Sequence, residues 1–186
     1  AGARFGVSWS PTLNAIDVVT IAPVGSAGNT RNSFIRTGSG TEGNLTAPAQ
    51  PGLYEVRYVL NENNRVQGAV PIEILPAEVQ LTVPETAPAG SRVPIIWIPT
   101  INASDVVTIV PVGAPEGARD NYLRTGSSSE GTVNAPAEPG LYEVRYVLNE
   151  GNVTIATAPL EIVASEISLT VPETATTGAR ISVSWS

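Results

Sequence analysis

The segment PGLYEVRYVLNE decides how this chain folds, and it occurs twice, at residues 51–62 and 139–150, without a single difference. The copies begin at residues 51 and 139, so the repeat period is 88 residues (139 minus 51). The same period relates Trp9, Trp97 and Trp185. Because a fixed period indicates consecutive copies of one structural unit, we interpret the 186 residues as a tandem duplication.

Apolar and polar side chains alternate within this segment in the manner of a β-strand. In the second copy Tyr142, Val144 and Tyr146 face one side, whereas Glu143 and Arg145 face the other. The rest of that copy divides into further short segments of this kind: EVQLTVPE, RVPIIWI, SDVVTIVPVG, NYLRTG, EGTVNAP and VTIATAPLEIV. Between the first two of these, APAGS is predicted to form a turn. No long segment has helical periodicity, so we predict an all-β fold of tandem seven-stranded β-sandwiches with an 88-residue period.

Two motifs add a family resemblance. The Pro-Gly pairs that precede Tyr54 and Tyr142 resemble the tyrosine corner of Ig-like sandwiches, in which the phenol bonds back to the preceding loop. FGVSWS at 5–10 and ISVSWS at 181–186 look like the second strand of fibronectin type III domains. The chain as a whole is similar to the bacterial Ig-like and fibronectin type III-like tandem repeats found beside von Willebrand A-type domains and in surface or adhesin-type proteins. The resemblance implies that the structural core includes Trp9, Trp97, Trp185, Tyr54 and Tyr142.

The repeat frame divides the chain into three parts. Residues 1–75 are expected to form a sandwich without its first strand, 76–163 a complete sandwich, and 164–186 the first two strands of a third repeat. The chain is then either a slice of a longer array or a unit whose tail strand completes another molecule. We favour the slice, because residues 177–186 correspond to residues 1–10 and a dedicated donor needs no second Trp strand.

Composition disfavours several classes of function. The chain has no Cys and no His, and all ten of its cationic side chains are Arg, so Ser-His-Asp and Cys-His arrangements, Ser-Lys dyads and Schiff-base lysines are excluded. We expect no enzyme, no cofactor and no metal site; calcium is a weaker alternative, because the chain holds only three Asp. A net charge of −7 disfavours nucleic acid as a partner, and no apolar run is long enough to span a membrane.

Charged residues that recur in both copies have two interpretations. Asp17 and Asp105 occupy equivalent positions, as do Arg36 and Arg124. They are either a repeated ligand site or structural residues, an Asp that caps a turn and an Arg whose stem covers the sheet. We favour the structural interpretation, because a structural requirement recurs in every copy.

One face of the second copy is unusually apolar. Its Trp strand places Pro94, Ile96 and Ile98 at outward positions, where the sister copies have Gly and Ser. We predict a candidate interface there, and a second one at Leu169 and Val171 in the tail strand.

The sequence therefore favours a structural repeat protein at the cell surface or outside the cell. We expect a stalk, spacer or filament whose partners are copies of itself or neighbouring Ig-like repeats, assembled head to tail by strand complementation in one of the two alternatives. The competing class is an adhesin module that binds a carbohydrate or a protein.

Overall fold

A computed structural model describes residues 1–185, and all of its regular elements are β-strands. This confirms the all-β prediction. Across the described residues, no helix has the length and apolarity that crossing a bilayer requires.

The first unit, defined as residues 1–75, contains six strands. They are β1 (Arg4–Ser8), β2 (Val18–Pro23), β3 (Phe34–Arg36), β4 (Glu42–Thr46), β5 (Gly52–Val59) and β6 (Val66–Ile74). They form a two-stranded sheet, β1–β4, and a four-stranded sheet with the order β3-β2-β5-β6. The twelve-residue repeat supplies β5, whose neighbours are β2 and β6.

The second unit, residues 76–163, contains eight strands. They are β7 (Gln80–Thr82), β8 (Thr86–Pro88), β9 (Arg92–Ile98), β10 (Val106–Pro111), β11 (Asn121–Arg124), β12 (Glu130–Asn134), β13 (Gly140–Val147) and β14 (Thr154–Val163). Their two sheets have the orders β12-β9-β7 and β11-β10-β13-β14-β8. Two packed sheets of this kind form an Ig-like β-sandwich.

The first strand of the second unit changes sheets, which the sequence analysis did not predict. Strand β7 pairs antiparallel with β9, whereas β8 pairs parallel with β14 in the opposite sheet. The turn predicted for APAGS is therefore wrong at its start, because Ala87 and Pro88 belong to β8. Pro84 lies between the two short strands and has no N–H for either ladder, so the chain leaves the first sheet there.

The third unit, residues 164–186, contributes a short hairpin of β15 (Leu169–Thr170) and β16 (Ser184–Trp185). Leu169 pairs with Trp185, as Leu81 pairs with Trp97 in the second unit. The 88-residue period is thus kept in the strand register.

Each of the first two units has its own hydrophobic core. In the second unit Trp97, Ile109, Tyr146 and Leu160 are among the side chains that fill the space between the sheets. The first-unit cluster is smaller and centres on Ile21 and Leu45. The difference follows from the first strand, which has no counterpart among the described residues of the first unit.

Candidate assembly surfaces

The three equivalent tryptophans have three different environments. Trp97 is 0% exposed, and its Nε1 donates to Thr100 Oγ1 and to the Ser128 carbonyl, both at 3.0 Å. Trp9 is half-buried and donates to Thr12 Oγ1 at 3.0 Å. The core role expected for Trp185 is not met in this structure, where the side chain is 74% exposed. The reason is that within residues 1–185 the third unit has two strands and no opposing sheet.

Tyr54 and Tyr142 tie their strands to the loops that precede them. The Tyr54 hydroxyl donates to the Gln50 carbonyl at 3.0 Å, and the Tyr142 hydroxyl donates to the Glu138 carbonyl at 3.0 Å. Both side chains are partly buried and pack against the core of their own unit. The two phenols therefore link the core to the chain reversal before the repeated strand.

The recurring aspartates accept hydrogen bonds from their own unit. Asp105 Oδ2 accepts from the Tyr146 hydroxyl and from the Asn102 N–H, and Oδ1 accepts from the Asn149 N–H. In the first unit Asp17 accepts from the Tyr58 hydroxyl and the Asn61 N–H. Each carboxylate therefore joins two segments of its unit. Asp105 links the loop before β10 to the end of β13, and Asp17 links the loop before β2 to the end of β5.

Burial is the main cause of the pKa shifts of Asp105 and its hydrogen-bond partner Tyr146. It raises the pKa of Asp105, and the three hydrogen bonds oppose that effect only in part. Burial, with the Asp105 carboxylate beside the phenol, also raises the pKa of Tyr146 to about 12. The pair is thus enclosed within the scaffold, where an external ligand has no access to it.

The repeated strand also carries a buried arginine that sequence reasoning missed. Arg145 was assigned to an outward face, yet it is buried and makes a 2.5 Å ion pair with Glu143. Its guanidinium also donates to the carbonyls of Ala114 and Pro115, in the loop that folds over this face. Arg57 and Glu55 repeat the arrangement. The sequence feature that could have indicated this ion pair is a Glu and an Arg two positions apart on one strand face, present in both copies.

The other recurring arginines bind backbone atoms. Arg36 Nη1 donates to the Ile16 carbonyl at 3.3 Å, and Arg124 Nη1 donates to the Ser104 carbonyl at 3.0 Å. Each ties a short edge strand to the loop beside it.

An open groove runs along the first unit between β1 and β6. It has a volume of about 550 Å³, and its lining includes Trp9, Val56, Tyr58 and Val70. The counterparts of the first three in the second unit, Trp97, Val144 and Tyr146, are fully buried. The groove therefore lies where β7 covers Trp97 in the second unit, and its floor is apolar.

The tail hairpin exposes the complementary kind of surface. Leu169 is 66% exposed and Val171 is 53% exposed, and Ile167 is exposed on the same alternation. Their counterparts Val79, Leu81 and Val83 pack against the core of the second unit. The side chains that cover one unit are thus uncovered in the tail.

The outer face of β9 is the other predicted interface. Ile96 is 40% exposed, Ile98 is 58% exposed, and Pro94 is also exposed. Pro94 lies opposite Thr132 of β12, while β7 ends at Thr82 opposite Ile96. The ladder on the β7 side has ended before Pro94, so its missing N–H costs no strand pairing.

A contact between the first two units forms a third surface. On the first unit it consists of Ala1, Gly2 and Ala49; Ala1 and Ala49 pack with the hydrophobic cluster of the second unit. On the second unit it consists of Asn102, Leu148, Gly151 and Val153. The Asn102 side-chain amide donates to the Gly2 carbonyl at 3.3 Å. We call this set of seven residues the junction.

Two exposed aromatics occupy equivalent positions on the short edge strands. Phe34 lies under the Arg31 guanidinium at 5.9 Å, and Tyr122 borders a polar depression of about 350 Å³. Arg92, Asp120 and Asn134 line the same depression. Within residues 1–185, no group of three or more His, Cys, Asp or Glu side chains is placed to hold a metal ion.

No family model matches the sequence, and no curated protein matches it. Among solved structures, the chain is similar to FdeC, an Escherichia coli adhesin, at 16% identity and a TM-score of 0.36, covering 92% of this chain and 63% of that chain. It is also similar to the central fibronectin-III array of RIM-binding protein, at 16% identity and a TM-score of 0.32, covering 100% of this chain and 74% of that one. A third is the chicken CNTN1 FN1–FN3 structure, at 15% identity and a TM-score of 0.30, covering 98% of this chain and 70% of that one. The chain thus spans less than two thirds of the adhesin structure.

Proposed function

We propose that this chain is a structural segment of a surface or extracellular protein, in which Ig-like repeats follow one another as a stalk or spacer. Residues 1–75, 76–163 and 164–186 are the consecutive repeat units of this segment. The role is non-enzymatic and needs no cofactor. Its partners are neighbouring repeats and further copies of the chain.

The observation that carries this proposal is the junction. It joins one end of the first unit to the opposite end of the second, so the contact surfaces lie at the two ends of a repeat rather than along its sides. Contacts of this kind extend an array in one direction. The internal use of the recurring Asp and Arg residues agrees with a scaffold, because both copies use them to hold loops.

Small-angle X-ray scattering on the dilute chain tests the proposal. Two sandwiches of about 75 and 88 residues placed end to end, about 33 Å apart, give a radius of gyration of about 20 Å, whereas one globule of the whole chain gives about 16 Å. We expect the larger value. A value near that of a single globule contradicts a stalk.

We further propose that the groove of the first unit accepts a first strand of the LTVPETA type. The preceding part of a longer array or the tail of another molecule can supply this strand, and the second route builds a head-to-tail filament. In support, Leu169 already pairs with a Trp in the register that the groove would require. Filling the groove exchanges one Trp partner for an equivalent one and covers apolar surface on both sides.

Sedimentation velocity over a concentration series measures this association. We expect oligomers to grow with concentration, and the double variant Leu169→Ser, Val171→Ser to remain monomeric because its inward side chains are polar. Thr170→Ser is the matched control, since its side chain lies at an outward position. Equal association of all three proteins would contradict strand complementation. If association instead falls in Ile96→Ser, Ile98→Ser, the outer face of β9 is the contact.

An adhesin module is the second candidate. It is favoured by Tyr122, an exposed aromatic beside a depression that also offers Arg92 and Asp120 to a polar ligand. Aromatic side chains next to charged groups are suited to the apolar face and the hydroxyls of a sugar. Binding of glycans that is lost in Tyr122→Ala but retained in Phe34→Ala would favour this class over a spacer.

A further inference from the structure

The junction involves the β13–β14 loop of the second unit. The equivalent loop of the first unit, β5–β6, differs from it at the residues that make the contact. The β13–β14 loop of the second unit reads Gly-Asn-Val at 151–153, whereas the β5–β6 loop of the first unit reads Asn-Asn-Arg at 63–65. The residues just before these loops belong to the identical segment. The loops are therefore a natural pair of variants on one scaffold.

Gly151 closely approaches Ala49 of the first unit. A Cβ placed on it would lie 3.2 Å from Ala49 Cβ, which is closer than ordinary van der Waals contact, so a side chain at this position presses on the first unit. The backbone itself does not require glycine, because Asn63 adopts φ 57° at the equivalent position and Gly151 has φ 70°. The difference between the loops at this position therefore concerns contact with the neighbouring repeat.

Val153 supplies an apolar side chain on the second-unit side of the junction. It packs in the same hydrophobic cluster as Ala1 and Ala49 of the first unit, beside the fully buried Leu148. Its counterpart Arg65 is exposed. An arginine at position 153 would bring a charge into this contact without a partner, which disfavours docking.

Burial differs between the two units where the junction forms. Gly2 and Ala49 are buried, whereas their counterparts Gly90 and Ala137 in the second unit are exposed. The residue types are the same in both units, so contact with the next repeat accounts for the difference.

We propose that Gly151 and Val153 are the specificity-determining residues of a repeat-docking surface. A repeat with Gly-Asn-Val in this loop accepts the end of the preceding repeat, and a repeat with Asn-Asn-Arg does not. The opposite end of the second unit, where Gly90 and Ala137 are exposed, is then the docking surface for a following repeat whose loop is of the Gly-Asn-Val type. The inference rests on the proposed array and specifies which repeats within it are held rigidly together.

Residual dipolar couplings measured on the full chain test the proposal. In the native chain both units should report one alignment tensor, with similar magnitudes. In Gly151→Asn, Val153→Arg, which installs the loop of the first unit, we expect the ratio of the two magnitudes to change by roughly twofold as the units move independently. The reciprocal variant Asn63→Gly, Arg65→Val is the matched control and should leave the ratio unchanged, because that loop lies outside the junction.

A second pair of variants separates docking from folding. A Cβ on Gly2 would lie 2.8 Å from Leu148 Cδ2, whereas a Cβ on Gly90 would meet nothing within 4 Å. The two glycines have φ 70° and φ 73°, so alanine strains the backbone equally at both. Gly2→Ala should uncouple the units, and Gly90→Ala should not.

The outcomes distinguish a failure of the docking proposal from a failure of the stalk proposal. A common tensor in the Gly151→Asn, Val153→Arg chain would overturn the inference while leaving an extended native chain, and hence the stalk, intact. Equal behaviour of Gly2→Ala and Gly90→Ala would likewise overturn it. A compact native chain in the scattering experiment would instead contradict the stalk itself.

Discussion

Replacing Trp97 with alanine should lower the free energy of unfolding of the second unit by about 3–5 kcal/mol, the range for a fully buried large aromatic. Trp97 fills the space between the two sheets, and its indole N–H has two acceptors in the loops on either side. Its removal leaves a cavity lined by side chains from both sheets. Native-state hydrogen exchange of the β9 amides measures the change within the intact chain.

The equivalent change in the first unit is the control. Trp9→Ala should lower the stability of that unit by roughly half as much, because Trp9 is already half-exposed in the groove and less surface is lost. Equal losses in the two units would contradict this account of the groove. A free peptide with the sequence of the tail strand should stabilise the native chain but not the Trp9→Ala variant, and this result would support the account of the groove.

Asp105→Ala should lower the stability of the second unit by about 3 kcal/mol, because three donors lose a shared buried acceptor. Those donors are the Tyr146 hydroxyl and the N–H groups of Asn102 and Asn149. The variant leaves the apolar core intact, so the loss reports the polar contacts. Urea unfolding followed by Tyr and Trp fluorescence gives the magnitude.

The pH dependence supplies a second signature of Asp105. Since burial raises its pKa in the folded state, its contribution to stability is fully present below the unfolded pKa and is lost as the pH rises through the folded value. Asp105→Ala should remove this dependence. Asp120→Ala, at an exposed position, should change stability by less than about 0.5 kcal/mol and keep the dependence. A larger effect of Asp120→Ala would contradict the assignment.

The sequence predicted the orientation of a side chain correctly where that orientation depends only on alternation along its own strand. Alternation along β9 puts Val93, Ile95 and Trp97 on the face opposite the outward residues, and all three are fully buried. It predicted the outward position of Ile96 and Ile98 equally well, because the period of a strand is two residues whatever surrounds it.

The same reasoning failed where a second segment covers the outward face. Arg145 follows the alternation and points away from the core, yet the loop over it supplies carbonyl acceptors and buries the guanidinium. Alternation states which face a residue occupies, but it does not state what lies above that face. The sheet change between β7 and β8 was missed for a related reason, since the parallel partner β14 is more than seventy residues away in sequence.

By itself, the sequence determined the repeat period and the all-β class, because these depend on local alternation and on turns that neighbouring residues form. Only the tertiary structure decided which equivalent residues are buried. Trp9, Trp97 and Trp185 share one sequence context and have three different exposures. Gly2 and Gly90 are likewise equivalent in sequence, but only Gly2 meets a neighbouring repeat. Burial depends on what packs against a residue from elsewhere in the chain, and an 88-residue repeat carries no record of which of its copies has that neighbour.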